Sequence, residues 1–515
     1  MRTTRLTETC ISQRRSPWKC IGLLSGIAFG SLAVFVMVLP VFADGADEHH
    51  GATTTFSAGP VLWGGLSLGV VLLLMVGLRS LLVRQVAPAG GDGQRLSYWG
   101  TVRQFSKNAR LFLAYSLMAE LGTGIWAVLF NLYLLRLEFS ITFIGTFWLL
   151  NMLFHGIAAL PAGVIGDRFG RRRSFFIATT IALIAQGSLL FTREPAVILA
   201  FAAMAGMGEA FHGVTGAPFM MENSEPGERP HLFSLNSAFL QLSRFGGNIA
   251  GGFLPLALAV VLGTPAVDPA AARGALVLAL PLTMVALFPL AFMKEKPVER
   301  VEDLRQLVML RNVVHAGIVA RLALLSLLVG TGFGLTIRFF NVFFKEVHSA
   351  SDSEIGTILA FGALASAGSI LVSPLLAQHW GKAKGILLSQ MASIPFLLLM
   401  ALVPSLTAVT VFYVVRGAFY ALGQPLRNQL SMEFVVAKER GTTAGFTHTA
   451  FDLGGGVGAG VAGLLITASG DFVPTFTVAA TLIAVPAVLY FLFFDRMEAR
   501  DRDRVASVAP APAGN

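Results

Sequence analysis

The chain has 515 residues, of which 55% are hydrophobic and only 13% are charged, whereas a soluble domain carries about 25% charged residues. Its mean hydropathy is +0.70. A membrane helix needs roughly 20 apolar residues, so this composition can supply on the order of 14 spans. A soluble enzyme, a disulfide scaffold and a disordered protein are excluded, and continuous apolar runs argue against a transmembrane barrel. The formal net charge of +9 indicates basic cytoplasmic loops rather than nucleic-acid binding.

Two hydrophobic segments precede the main body. Residues 1–43 form either a signal peptide cleaved after Ala43 or an extra transmembrane helix, and the length of the apolar run favours the retained helix. Residues 44–110 are predicted to contain an outward connector, a second extra helix at 60–78 and a cytoplasmic linker. The two helices would form a hairpin and raise the number of spans to 14, on the order expected from composition.

The main body consists of two sets of six apolar runs. Residues 111–293 are predicted to form an N-terminal six-helix bundle and residues 312–496 a C-terminal one. Residues 294–311 lie between them, with apolar residues at a spacing that predicts a helix along the membrane surface. Residues 497–515 are expected to form a disordered cytoplasmic tail. Lysine and arginine accumulate in alternate loops, which predicts a multi-pass protein of the cell (inner) membrane with both ends of the body in the cytoplasm.

An internal repeat of about 211 residues relates the two halves. Asn131 corresponds to Asn341, the stretch 167–173 corresponds to 378–384, and Gly216-Ala-Pro corresponds to Gly423-Gln-Pro. The matches keep the same order and are separated by an even number of spans. They therefore predict two six-helix bundles in parallel orientation, with a substrate site between them near the bilayer midplane.

The loop between the second and third main spans carries a specific motif. A glycine, an Asp-Arg pair, a second glycine and three arginines follow one another: Gly163, Asp167, Arg168, Gly170, Arg171, Arg172 and Arg173. This motif resembles the cytoplasmic signature of the major facilitator superfamily, and the resemblance covers roughly residues 105–496. It implies an all-α membrane fold and secondary transport by alternating access. In that family the loop is a gate that latches the outward-open state. Glycines allow its tight turn, and Asp167 is expected to meet a helix N-terminus.

The fifth main span contains the glycine-rich stretch 246–252. It resembles the antiporter signature of the same superfamily, although Asn248 stands where that signature has proline. Close packing of helices through small residues is an equal alternative. The basic residue that proton-coupled drug exporters of the family carry in the fourth span is missing from residues 201–208.

Ionisable side chains inside the spans mark a pathway by default, because they are costly in lipid. Glu120, Glu209 and Asp452 are the predicted proton-coupling residues, since buried carboxylates can exchange protons near neutral pH. The other polar residues predicted to line the substrate cavity are Asn131, His155, His212, Arg244, Asn248, Arg338, Asn341, Arg416, Tyr420 and His448. The alternative for any one of them is a structural pair, such as Glu209 with Arg244 or Asp452 with His448.

These features predict a transporter and not an enzyme, with no cofactor and no metal. The acidic and histidine residues at 44–50 resemble a flexible connector more than a metal site. The favoured function is proton-coupled efflux of a small apolar or amphipathic compound. Arg338 and Arg416 favour an alternative, import of an organic anion or phosphorylated nutrient. A third possible function is that of a non-transporting sensor or scaffold with the same fold. The expected partners are a small-molecule substrate, the lipid bilayer and protons, with no nucleic acid, and the chain is expected to act as a monomer.

Overall fold

The computed structural model describes residues 104–225, 228–295, 316–435 and 440–508, and these residues form α-helices. The first six are α1 (Lys107–Arg136), α2 (Ile141–Phe169), α3 (Arg171–Phe191), α4 (Pro195–Glu222), α5 (Arg229–Leu262) and α6 (Pro269–Phe292). The others are α7 (Ala316–Thr336), α8 (Phe340–His348), α9 (Asp352–Trp380), α10 (Lys382–Leu402), α11 (Leu406–Glu433), α12 (Arg440–Ser469) and α13 (Val473–Val508). Within the described ranges, 12 stretches are long and apolar enough to cross a membrane, and α7 and α8 together form one of them.

The twelve spans confirm the predicted main body. The predicted N-terminal hairpin and most of the predicted surface helix at 294–311 lie outside the described residues. One boundary differs from the prediction, because α13 continues to Val508 and so enters the segment expected to be disordered.

The helix bounds display the internal repeat. Helices α2, α3 and α4 begin and end 211 residues before α9, α10 and α11 respectively. The match of Gly216-Ala-Pro with Gly423-Gln-Pro has a shift of four residues from that register. Four residues make about one helical turn, so the two proline-containing stretches still share a face.

Two pairs of helices make the most extensive contacts between the bundles. Helix α2 packs against α12, and α5 packs against α9. Glycines allow these close approaches: a Cβ added at Gly145 would lie 3.0 Å from Cα of Gly463, and one added at Gly252 would lie 3.0 Å from Cα of Gly356. Because lipid supplies no hydrophobic drive between helices, such close backbone packing is a main source of their association.

Each bundle also has its own apolar core. Aromatic side chains of α1, α3 and α4, including Phe112, Tyr115, Phe175 and Phe219, form a buried cluster in the N-terminal bundle. In the C-terminal bundle a cluster of α7, α9, α10, α11 and α13 includes Tyr490 and Phe494. Both bundles are therefore packed units with cores of their own, and they meet at the two glycine-rich contacts.

Candidate transport site

A cavity of about 410 Å³ lies where the N-terminal bundle faces the C-terminal one, and of the described residues that line it all but Arg338 belong to the N-terminal bundle. Its walls come from α1 to α6 of the N-terminal bundle and from the segment that links α7 to α8. Six acidic, basic or histidine side chains line it: Glu120, His155, Glu209, His212, Arg244 and Arg338. A second cavity, of about 540 Å³, is lined by Arg172, Arg173, Phe176, Ile177 and Glu295. All of these belong to one bundle, so it is not a passage between the two.

Three of these six side chains, Glu120, Arg244 and His155, are paired with a group of opposite charge or a hydrogen-bond partner. Nε of Arg244 on α5 donates to Oε2 of Glu120 on α1 at 2.8 Å, and Nδ1 of His155 on α2 lies 2.7 Å from Oδ2 of Asp452 on α12. The first pair lies within the N-terminal bundle, whereas the second joins the two bundles. Because α2 packs against α12, Asp452 reaches across to His155.

The pairs considered in the sequence analysis, Glu209 with Arg244 and Asp452 with His448, are therefore replaced by others. Glycines Gly124 and Gly247 bring α1 and α5 into contact, and Glu120 and Arg244 lie about one turn away from them. His448 lies one turn from Asp452 along α12 and is exposed.

Glu209 and Arg338 have no such partner. The side chain of Glu209 on α4 is exposed in the cavity wall and forms no hydrogen bond or ion pair with any residue in the described ranges. Arg338 lies in a short 3-10 helix, Ile337–Phe339, that interrupts the seventh span. Its guanidinium lies 3.9 Å from the ring centroid of Trp148, and its buried Nε has no hydrogen-bond partner. A break in a membrane helix at a cavity is typical of transporter binding sites.

The repeat-related asparagines hold the bundles together instead of lining the cavity. Nδ2 of Asn131 donates to Oδ1 of Asn341 at 3.0 Å and to the carbonyl of Arg338 at 2.6 Å. Nδ2 of Asn341 donates to the carbonyls of Ala127 and Val128 on α1. Trp148 completes the network by donating from Nε1 to Oδ1 of Asn131 at 2.9 Å.

Other predicted cavity residues lie elsewhere. Arg416 is 2% exposed inside the C-terminal bundle, where it faces the rings of Phe340 and Tyr420 at 5.0 and 5.2 Å. Asn248 is buried where α5 meets α9, beside Gly356. His212 does line the cavity, with its ring against Tyr115. Arg416, Tyr420 and Asn248 do not contact the cavity that the described residues form.

The bundles are closed at the end that loop charge predicts to face outward, which we call the predicted outer end. There Nη2 of Arg136 donates to both carboxylate oxygens of Asp352 at 2.6 Å, and both side chains are at most 10% exposed. Oγ1 of Thr142 donates to Oγ1 of Thr467 at 2.8 Å. This ion pair was not predicted from the sequence, because both charges flank spans and resemble ordinary loop residues.

At the opposite end, the predicted cytoplasmic end, the same helices each have a glycine with open space beside it. Gly163 on α2 and Gly445 on α12 each lie 18 residues from the Gly145–Gly463 contact. An added Cβ at either Gly163 or Gly445 would meet nothing within 4 Å. Among the described residues, α2 and α12 are thus in contact at the predicted outer end and leave open space beside these two glycines at the predicted cytoplasmic end.

The motif loop makes its side-chain contacts within the N-terminal bundle. Asp167 pairs with Arg171, and Arg171 also meets Glu222 at 3.2 Å. Asp167 was expected to meet a helix N-terminus, and this expectation is wrong. At the N-terminus of α3 it is Glu295 that accepts the backbone N–H of Arg172, at 3.2 Å. Asp167 ends α2 next to the Arg171 side chain, which takes up its charge. Arg168 and Arg173 are exposed.

The second bundle repeats this arrangement. Lys382 corresponds to Arg171 and pairs with Glu433 at 2.8 Å, and Glu433 corresponds to Glu222. Glu498 accepts the backbone N–H groups of Lys382 and Ala383 at 2.7 and 3.1 Å. The repeat therefore includes an acidic cap on the third helix of each bundle, which the aligned motif residues do not reveal.

A family model matches both halves of the chain that form this fold. The model for the Major Facilitator Superfamily matches residues 111–347 and 322–513. The chain belongs to the major facilitator superfamily. The resemblance drawn from the motif loop and the predicted fold class are both confirmed. Members of this superfamily are transporters, and the chain is a multi-pass membrane protein of that kind.

Solved structures of superfamily transporters share the fold. A bacterial homologue of the human lysosomal transporter Spinster, in an inward-facing unoccupied conformation, has a TM-score of 0.63 and 17% identity over 78% of this chain and 98% of its own. The nucleoside transporter NupG has a TM-score of 0.59 and 15% identity over 76% and 99%. The human organic anion transporter MFSD10 has a TM-score of 0.54 and 16% identity over 75% and 99%. No curated protein matches the chain.

Metal binding has no candidate in the residues that the structure describes, since they contain no group of three or more His, Cys, Asp or Glu side chains able to hold an ion. The histidines and acidic residues at 44–50 lie outside those residues. The chemistry of the cavity thus consists of charge pairing, hydrogen bonding and contact with aromatic rings.

Proposed function

We propose that the protein is a proton-coupled secondary transporter that moves a small solute by alternating access. The observation that carries the proposal is the His155–Asp452 pair, at 2.7 Å, which joins the two bundles beside the cavity. It lies on α2 and α12, between their contact at the predicted outer end and the open space at the predicted cytoplasmic end. A titratable contact at that point links the charge of the pair to the separation of the bundles.

Protonation changes this contact by simple electrostatics. An ionised Asp452 attracts a protonated His155 strongly in surroundings of low dielectric constant. A proton on the carboxylate removes that attraction and leaves a weaker neutral hydrogen bond. The bundles can then part at this point, so that binding of a proton favours one of the two alternating states.

Export of the solute is the direction proposed from the sequence, through the glycine-rich stretch of α5. In the structure Gly247 packs against Gly124, and Gly252 packs against Gly356. Helix packing alone accounts for these glycines, so they lend export little support. The alternative direction, import of an anion, has its support in Arg338, whose guanidinium faces the cavity without a carboxylate partner.

The test uses purified full-length protein in liposomes of known orientation, with a pH-sensitive dye inside and a panel of solutes outside. Solute-dependent proton movement is expected for the natural protein, and Asp452→Asn is expected to abolish it. Asp268→Asn is the matched control, because Asp268 caps α6 away from the cavity and asparagine is an equally good cap. Solute flux that is independent of the proton gradient and unchanged in Asp452→Asn would contradict the proposed coupling.

A further inference from the structure

We propose that the transported solute is a zwitterion, whose cationic group binds Glu209 and whose anionic group binds Arg338. The proposal rests on the proposed function only in taking the cavity between the bundles as the transport site. It names the substrate class of that site, and it differs from both an apolar compound and a simple anion.

The balance of charge in the cavity is the first argument. Arg244 neutralises Glu120, and Asp452 and His155 satisfy one another. One carboxylate and one guanidinium remain, Glu209 and Arg338. They attract one another across the cavity, but neither forms an ion pair with any residue that the structure describes. Unpaired charges within a membrane protein are costly. A ligand that carries one charge of each sign relieves both costs at once.

The chemistry of each group supports its assignment. The planar guanidinium of Arg338 stacks on Trp148, which leaves its N–H edge for a carboxylate or phosphate that it can bind with two hydrogen bonds. The Glu209 carboxylate is exposed in the cavity wall and accepts hydrogen bonds from an ammonium group. Rings of Trp126, Phe130 and Phe147 line the same cavity and supply an apolar surface for the body of the solute.

The two groups also stand on different bundles. Glu209 belongs to α4 in the N-terminal bundle, and Arg338 belongs to the break in the seventh span. A bound zwitterion therefore bridges the bundles and links its own presence to their closure. A simple anion would leave Glu209 unpaired beside it, and a simple cation would do the same to Arg338.

The experiment measures binding to the full-length protein in detergent, through the thermal midpoint, and flux in liposomes. The probes are the amino acids with uncharged side chains, compared with their N-acetyl forms, which are anions, and their methyl esters, which are cations. At least one zwitterion is expected to bind on the order of 10- to 100-fold more tightly than either of its singly charged analogues, because each charge-assisted contact contributes that much.

Substitutions of Glu209 and Arg338 test which charged group of the solute each side chain binds. Glu209→Gln is expected to lower the affinity for the zwitterion to that of its N-acetyl form and to leave the N-acetyl form unaffected. Arg338→Gln is expected to lower it to that of the ester and to leave the ester unaffected. Glu194→Gln and Arg193→Gln, at exposed positions before α4, are the matched controls. Glu209→Asp is expected to keep the preference, and the midpoint without ligand reports whether each variant folds.

Three outcomes would overturn the proposal. No zwitterion stabilises the natural protein, or an N-acetyl or ester form binds as tightly as the zwitterion, or both variants weaken all three forms equally. Failure of the proposed proton coupling is distinguishable from each of these. In that case the zwitterion still binds with its preference intact, while solute addition moves no protons. Asp452→Asn should likewise lose coupling and keep the preference.

Discussion

At the scale of single residues, the partner of each charged side chain decides what it can do in the cavity. Glu120 and Glu209 are both carboxylates of the N-terminal bundle that line the same space. Arg244 neutralises the first, so its charge is not available to a solute, whereas the second has no partner in the described part of the chain. Their sequence context does not distinguish them.

The Glu120–Arg244 pair gives a prediction about stability. Arg244→Gln leaves a carboxylate that is only 14% exposed without its counter-charge, and we expect a loss of about 1–3 kcal/mol in the free energy of unfolding. The double variant with Glu120→Gln is expected to regain most of that loss, because neither charge remains. Thermal midpoints of the two single variants and the double variant measure the coupling. Additive losses would show that the pair contributes nothing.

A second prediction concerns Gly170, which begins α3 with φ at +99°. An alanine there adopts a conformation that L-residues disfavour, and its Cβ would run into the Glu295 carboxylate. We expect Gly170→Ala to destabilise the protein by about 1–3 kcal/mol, as for other strained positions. Gly187→Ala within α3 is the control, since a Cβ there meets nothing within 4 Å. Equal midpoints for the two variants would contradict the expected strain.

At the scale of elements, two helix pairs carry the contact between the bundles, α2 with α12 and α5 with α9. Glycines set how closely each pair approaches, and hydrogen bonds fix the predicted outer end. The seventh span behaves differently, because its interruption at Ile337–Phe339 turns Arg338 toward the cavity. The break could not be predicted from the local sequence, because that span contains no proline.

The outer closure can be tested at the Arg136–Asp352 pair. Asp352→Asn removes its charge, and we expect the predicted outer end to open more often. Thr123→Cys, on the exposed cavity wall, should then react at least about 10-fold faster with a membrane-impermeant maleimide from outside, since breaking a buried pair costs several kcal/mol. The background is a chain with Cys10→Ser and Cys20→Ser, and Asp268→Asn is the control. An unchanged labelling rate would rule out a closing role for the pair.

At the scale of the whole molecule, the two bundles are packed units whose helices α2 and α12 are in contact at one end and have open space beside them at the other. Contacts at Thr142–Thr467 and Gly145–Gly463 hold one end of α2 and α12. At Gly163 and Gly445, further along the same helices, nothing lies within 4 Å of an added Cβ. Alternating access requires that these positions approach one another when the other end opens.

This requirement leads to a cross-linking prediction. In the cysteine-free background, Gly163→Cys with Gly445→Cys is expected to form a disulfide only when the bundles close at the predicted cytoplasmic end. The cross-linked protein should lose transport and regain it on reduction. Each single-cysteine variant serves as a control for modification alone. Full transport by the cross-linked protein would contradict alternating access between these helices.

The twelve spans of the main body, the two-bundle architecture and the family follow from the sequence by itself. Membrane helices satisfy their own backbone hydrogen bonds, so apolar length predicts them without knowledge of neighbours. The repeat in the chain likewise predicted two bundles in parallel orientation, because similar segments fold alike. The list of polar residues within spans included every ionisable side chain that lines the cavity, Tyr115 apart.

Only the tertiary structure decided which of those side chains meet. His155 and Asp452 are 297 residues apart in sequence, and Arg136 and Asp352 are 216 apart. Such pairs depend on how two bundles dock, and no local pattern encodes that geometry. The same docking left Arg416 inside one bundle and brought Arg338 to the cavity. Pairing energy falls with distance between charges, so the identity of the unpaired charges, Glu209 and Arg338, follows from the packing of whole helices.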